Sequence, residues 1–260
     1  MLPIPVDVLQ HILDHLDQAS LAKICQLNKI CCSCSQNVLY RDIGIFGTNF
    51  KVCETLAQSP HLARQVRSFE ISVFRNSTRN ELLWKSFQNM TNLRNLRFLC
   101  PLDLSILDGC TFRLVSLRTD YYQSGPLLGL FLHSQPSLTD VTIESPFGND
   151  VAFTSTCLPN LTRIKAKFSW LPQLIPNRPV SEVFSIRSSD DDDSVDLSFF
   201  ALSTAPIRKL TLDHLCLYST PVPLLASIFP SLTYLRLTYF AFDDLKETVR
   251  LIIIYPILIG

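Results

Sequence analysis

One short pattern recurs along most of this chain and constrains its fold more than any other feature. An apolar residue is followed by two variable residues, a second apolar residue, one variable residue, and an apolar or small residue. It occurs as Val66/Phe69/Ile71, Leu93/Leu96/Phe98, Leu114/Leu117/Thr119 and Leu138/Val141/Ile143. It continues as Leu161/Ile164/Ala166, Val180/Val183/Ser185, Ile207/Leu210/Leu212 and Leu232/Leu235/Leu237. The first positions run from Val66 to Leu232 in seven steps of about 24 residues, inside the window of about 20–29 residues typical of leucine-rich repeats. Several copies open on a proline: Pro136-Ser-Leu, Pro159-Asn-Leu, Pro206-Ile and Pro230-Ser-Leu. Apolar stretches of helical character, Leu127–Leu132, Phe199–Leu202 and Leu224–Phe229, precede three of these. A helix stopped by proline and followed by an alternating strand is therefore the expected unit. Such a unit cannot bury its own apolar face, so consecutive units stack. The expected fold class is α/β: a solenoid with a parallel sheet on the concave face and helices on the convex face, spanning residues 46–260. Thr119, Ala166 and Ser185 are weak core residues within it.

The first 45 residues have a different texture. Val8, Leu9, Ile12, Leu13 and Leu16 form one stripe at helical spacing, with Asp7 in the first turn where a negative charge suits the helix dipole. Ser20 is the expected N-cap of a second helix carrying Leu21, Ile24, Cys25 and Leu27. A third helix is expected to end near Val38, Leu39 and Tyr40. About 40 residues is near the lower limit for a core that stands alone, so something else must cover this module's apolar surface.

The segment Ile4-Pro5-Val6-Asp7-Val8-Leu9-Gln10-His11-Ile12-Leu13-Asp14-His15-Leu16-Asp17 resembles the opening of an F-box, usually Leu-Pro-x-Glu before an apolar helix. Ser20-Leu21 resembles the start of that family's second helix, and Leu39-Tyr40 its apolar-aromatic close in fungal-type members. Cys31 departs from the tryptophan that many members carry. The resemblance covers residues 1–45, and the family commonly joins an F-box to leucine-rich repeats. It implies a non-catalytic substrate receptor of an SCF-type ubiquitin ligase, in the cytoplasm or nucleus. The F-box would dock a Skp-type adaptor, and through it a cullin, while the repeats would bind a protein substrate. Pro5, Leu9, Ile12, Leu13, Leu16 and Leu21 match the docking pattern.

Other features narrow the alternatives. The chain has 23 basic and 23 acidic residues, which does not suit a general nucleic-acid binder. The nine cysteines lack regular spacing and read as reduced packing residues. Cys31, Cys32 and Cys34 lack the paired spacing of a structural zinc site. His11 and His15 are four apart, but Ile12 stands where a zinc protease carries glutamate. The Asp190–Asp193 run lacks the alternating ligands and glycine of a calcium loop, and reads as a solvated insertion. No metal or cofactor is expected. Asp7 interrupts the apolar N-terminus, which argues against a secretory leader. Leu251–Tyr255 with Ile257–Ile259 is about half the length of a membrane span. It is expected to be a buried helix or strand end that covers the last repeat, unless the sequence is truncated there. No membrane partner is expected.

Within each repeat, the residue between the last two inward positions points outward, because side chains alternate along a strand. That column reads Glu70, Arg97, Arg118, Thr142, Lys165, Phe184, Thr211 and Arg236. It is rich in cations, and Arg97, Arg118, Lys165, Phe184 and Arg236 are the candidate substrate face, suited to an acidic or phosphorylated segment. Two other readings stand beside the receptor. One is a repeat-based scaffold whose N-terminal helices only cap the solenoid, with their apolar stripe buried inside the chain. The other is an enzyme with an unrecognised site.

Overall fold

The computed structural model describes residues 4–47, 50–72, 80–100, 103–120, 125–144, 153–154, 156–186, 196–213, 227–238 and 250–253. The Asp190–Asp193 run lies outside them. The chain divides into two compact units, Met1–Leu114 and Val115–Gly260.

The first unit begins with three helices, α1 (Val6–Leu13), α2 (Gln18–Ile24) and α3 (Lys29–Leu39). Leu13, Leu21 and Cys34 make a small buried core, against which Leu9, Leu16, Ile24, Val38 and Leu39 are partly buried. The caps explain where the helices start. Asp17, in extended conformation, accepts the Ser20 amide at 2.7 Å, so Asp17 rather than Ser20 is the N-cap of α2. The anticipated cap sits three residues into the helix. Asn28 caps α3 in the same way, accepting from the Cys31 amide at 2.9 Å. Cys31 therefore lies in the first turn of a complete helix.

Strand β1 (Asp42–Phe46) follows α3 directly and pairs in parallel with β2 (Ser68–Ser72). Helices α4 (Lys51–Gln58) and α5 (Pro60–Ala63) connect the two. Helix α6 (Asn80–Asn89) precedes β3 (Asn95–Phe98), which pairs in parallel with β2. Tyr40, Ile43 and Ile45 repeat the spacing of the later copies, so the repeat begins inside the segment read as helical and closes at residue 46. Phe87 anchors this unit's core, with its ring edge-to-face against Phe69, Phe98 and Phe112 at 5.3, 6.3 and 6.4 Å.

The second unit contains β4 (Ser116–Thr119), helix α7 (Gly125–His133), β5 (Asp140–Ile143), β6 (Arg163–Lys167) and helix α8 (Leu171–Leu174). Next come β7 (Glu182–Ile186), β8 (Lys209–Asp213), β9 (Tyr234–Thr238) and β10 (Arg250–Ile253). From β4 to β9 the strands pair in parallel and in chain order. The register stacks Leu117, Val141, Ile164, Val183, Leu210 and Leu235 in one inward column, and all six are buried. Thr119, Ala166 and Ser185 are buried as well. Phe168, Trp170, Phe199 and Phe200, in the turns that follow β6 and β7, are buried too. Phe199–Leu202 is a turn of 3-10 helix rather than an α-helix. Most of Leu224–Phe229 lies outside the described residues. Both units are thus α/β, with one parallel strand per repeat and helical connections. Strand β10 runs antiparallel beside β9, so Leu251–Ile253 is a strand; residues 254–260 lie outside the described set.

Candidate functional site

Two surfaces follow from the expected roles: the outer surface of α1–α3 and the open face of the sheet. On the helices, the structure separates the matched residues. Leu13 and Leu21 hold the module together from within, Leu9 and Leu16 are half-buried, and Pro5 and Ile12 are exposed. The apolar side chains that meet solvent are a different set. Ile4, Val6, Val8, Ile12, Leu27 and Ile30 are exposed by 61, 57, 49, 47, 70 and 60 %. Val8 and Ile12 are one turn apart, on the same flank of α1. A charged latch ties the module to the sheet of its own unit. Arg41 bonds Asp14 at 2.8 Å and Asp42 at 3.1 Å, and its carbonyl accepts the Arg67 and Ser68 amides at 2.8 and 3.0 Å. The His11 and His15 rings meet edge-to-face at 5.0 Å, both exposed. Among the described residues, no group of three or more metal-binding side chains is placed to hold an ion.

On the sheet, the anticipated outward column is real in register. Glu70 lies beside Arg97 in the first unit. In the second, Arg118, Thr142, Lys165, Phe184, Thr211 and Arg236 follow in order. The cations of this column are nevertheless mostly countered. Arg97 bonds Glu70 at 3.2 Å. Arg118 reaches Asp120 at 3.0 Å and Glu144 at 3.1 Å, and Lys165 shares Glu144 at 2.8 Å. The neighbouring outward column alternates in sign across four strands, with Arg163 at 3.5 Å from Asp140 and 2.8 Å from Glu182, and Lys209 at 2.8 Å from Glu182. Donation from Lys209, then from Arg163, holds the Glu182 carboxyl below its ordinary value. Asp140 moves the other way. It lies at the long contact, and burial outweighs the attraction of Arg163, so its carboxyl is raised. This face is an ion-pair ladder rather than a uniformly positive groove. Single-column reading missed the acids because Asp140, Glu144 and Glu182 stand in neighbouring columns; alternating signs one repeat apart were the available signal.

Arg236 stands apart. It forms no ion pair or hydrogen bond among the described residues, and its buried Nε has no acceptor. Thr211, between Phe184 and Arg236 in the register, is only 7 % exposed.

Elsewhere, the eight described cysteines are free thiols. Burial pushes Cys53 and Cys110 up to about 12, which removes them as nucleophiles at neutral pH. A cleft of about 330 Å³ in the second unit is lined by Phe200, Ser203, Ile207, Ile228, Phe229 and Pro230 among others, with no ionisable side chain among its lining residues. Among the described residues, no helix is long and apolar enough to cross a membrane. In comparison with known proteins, the chain matches no family model and no curated sequence.

Proposed function

We propose that this chain is the substrate receptor of an SCF-type ubiquitin ligase: residues 1–45 are an F-box that docks a Skp-type adaptor, and leucine-rich repeats behind it hold a protein substrate. The observation that carries this reading is the three-helix module itself. It spends Leu13, Leu21 and Cys34 on an internal core, and leaves Ile4, Val6, Val8, Ile12, Leu27 and Ile30 open to solvent. Large apolar side chains left exposed on so small a module favour a binding surface. Of the stripe that a cap would turn inward, Leu13 is buried and Leu9 and Leu16 are partly so, while Val8 and Ile12 stay outside and are free to meet a partner. The opening Ile4-Pro5-Val6-Asp7 and the adjoining repeats agree with the F-box reading. The receptor's role is to bring two proteins together, so the chain needs no reacting group of its own.

The docking set is accordingly Pro5, Val8 and Ile12 at the surface, with Leu9 and Leu16 at its margin and Leu13 and Leu21 supporting it from beneath. The test is co-expression of the full chain with a Skp-type adaptor. Val8→Asp with Ile12→Asp replaces only exposed residues, so the chain should fold. Two charges in a desolvated contact should weaken co-purification about a hundredfold or more. Undiminished recovery of the adaptor by a folded double variant would reject this surface.

A further inference from the structure

We propose that Cys25 and Cys32 are a reversible thiol–disulfide pair, a modification site at which a low-molecular-weight disulfide such as glutathione disulfide oxidises the corner between α2 and α3. This goes beyond the receptor reading and does not rest on it. The eight described cysteines are free thiols, and four of them, Cys25, Cys31, Cys32 and Cys34, lie in this corner of the helical module. The fold brings Cys25 and Cys32 together across it. The Cys25 thiol donates to the Cys32 carbonyl at 3.9 Å, seven positions away, and the two side chains also bond one another. Both residues are half-buried, so a small reagent can reach them, whereas Cys34 is buried.

The backbone holds the pair in place. Cys25 is the C-cap of α2, with its amide on the Leu21 carbonyl at 3.0 Å. Cys32 lies on α3, with its amide on the Asn28 carbonyl at 2.9 Å. Leu21 and Cys34 pack in one core and fix α2 against α3. Part of the conformational entropy that a cross-link must remove is therefore already lost in the folded corner. Burial, and then the Cys32 thiol beside it, raises the Cys25 thiol, which makes Cys25 a poor first nucleophile. The entering step is accordingly attack by the Cys32 thiolate on one sulfur of glutathione disulfide. It breaks the reagent's S–S bond, forms a mixed disulfide on Cys32 and releases one glutathione. Cys25, giving up its proton, then attacks the Cys32 sulfur, forms the internal bond and displaces the second glutathione. The high local concentration of an intramolecular partner offsets its weak nucleophilicity. Two electrons pass from the protein thiols to the reagent, and the two protons end on the two released glutathione thiols. Excess reduced glutathione reverses both steps. The bond would tie the ends of the loop that carries Leu27 and Ile30, exposed by 70 and 60 %.

Trypsin separates the two cysteines, because cleavage at Lys23, Lys29 and Arg41 leaves Cys25 in residues 24–29 and Cys32 in residues 30–41. The full chain is equilibrated at rising ratios of oxidised to reduced glutathione. Remaining thiols are alkylated in denaturant, and the digest is read by mass spectrometry. Joined peptides 24–29 and 30–41 should appear before any link to Cys53, Cys110 or Cys157, and fragmentation should place the bond on Cys32. Cys25→Ser and Cys32→Ser should each lower the yield of joined peptide at least about tenfold, and Cys31→Ser should leave it within about twofold. The helical circular dichroism of the oxidised chain should equal that of the reduced one, because the bond forms within the folded module. Glutathione adducts without joined peptides, an undiminished yield in Cys32→Ser, or joined peptides only after the helical signal is lost would overturn the pair.

Discussion

Among the described residues of the second unit, Arg178 carries four side-chain hydrogen bonds. It is buried, and its guanidinium donates to four backbone carbonyls: Cys157 at 2.7 Å, Gln173 at 2.8 Å, Thr154 at 2.9 Å and Pro176 at 3.0 Å. Two of those carbonyls belong to the segment before Leu158, whose φ is 57°, and Asn177 beside it has φ 62°. Left-handed residues other than glycine cost free energy, and Arg178 holds both in place. Burial without a facing carboxylate lowers its affinity for the proton, although it remains charged. Arg178→Met should therefore leave several carbonyls without donors and cost at least about 3 kcal/mol in chemical denaturation; a loss under 1 kcal/mol would contradict the clamp. Glu182 offers a test with a sign. Its carboxyl is held below the ordinary value of 4.5, so its stabilising contribution is complete above that value and is lost as pH falls through the folded one. Glu182→Gln should lower unfolding free energy by about 1 kcal/mol at pH 7, and the gap to wild type should close in acid. A gap that widened as pH fell would refute the pairing.

Strand β9 depends on what lies beside it. On one side it pairs with β8, and on the other with β10, which aligns Ile252 with Arg236. Without β10, a row of backbone donors and acceptors on β9 would be bare, and bare strand edges recruit other chains. Removing residues 250–260 should therefore produce concentration-dependent light scattering at temperatures where the full chain stays clear; equal clarity would show that β10 is dispensable. The elements also show what could be read in advance. Inward positions such as Val141, Ile164 and Leu210 were legible because spacing alone assigns them and the register agrees. Strand β1 was hidden because Tyr40, Ile43 and Ile45 abut a helix, and one copy of a loose pattern carries little weight. The cap of α2 was misplaced by three residues because Asp17 and Ser20 are both good capping types, and only backbone conformation separates them. Most ion pairs of the sheet face join residues about 20 or more positions apart, so alternating signs one repeat apart hinted at them but the partners could be assigned only once strand register was known.

At the scale of the molecule, two surfaces differ in their chemistry. The helical module keeps a minimal core and leaves apolar side chains outside, whereas on the described sheet face of the second unit Arg118, Arg163, Lys165 and Lys209 are each paired with a carboxylate. An apolar contact would give a stable, constitutive attachment, and a mostly balanced polar face would discriminate among partners by small differences. Which of the N-terminal residues were buried was only partly visible in the sequence. A five-residue apolar stripe says that a helix has an apolar side, not which of its members turn toward two neighbouring short helices and which remain outside. The most direct measurement is calorimetric titration of the full-length chain with a purified Skp-type adaptor, for wild type and for Val8→Asp with Ile12→Asp. The account predicts saturable binding of one adaptor per chain, with the negative heat-capacity change of apolar burial, and a flat titration for the folded double variant. No binding by wild type, or equal binding by both proteins, would contradict it.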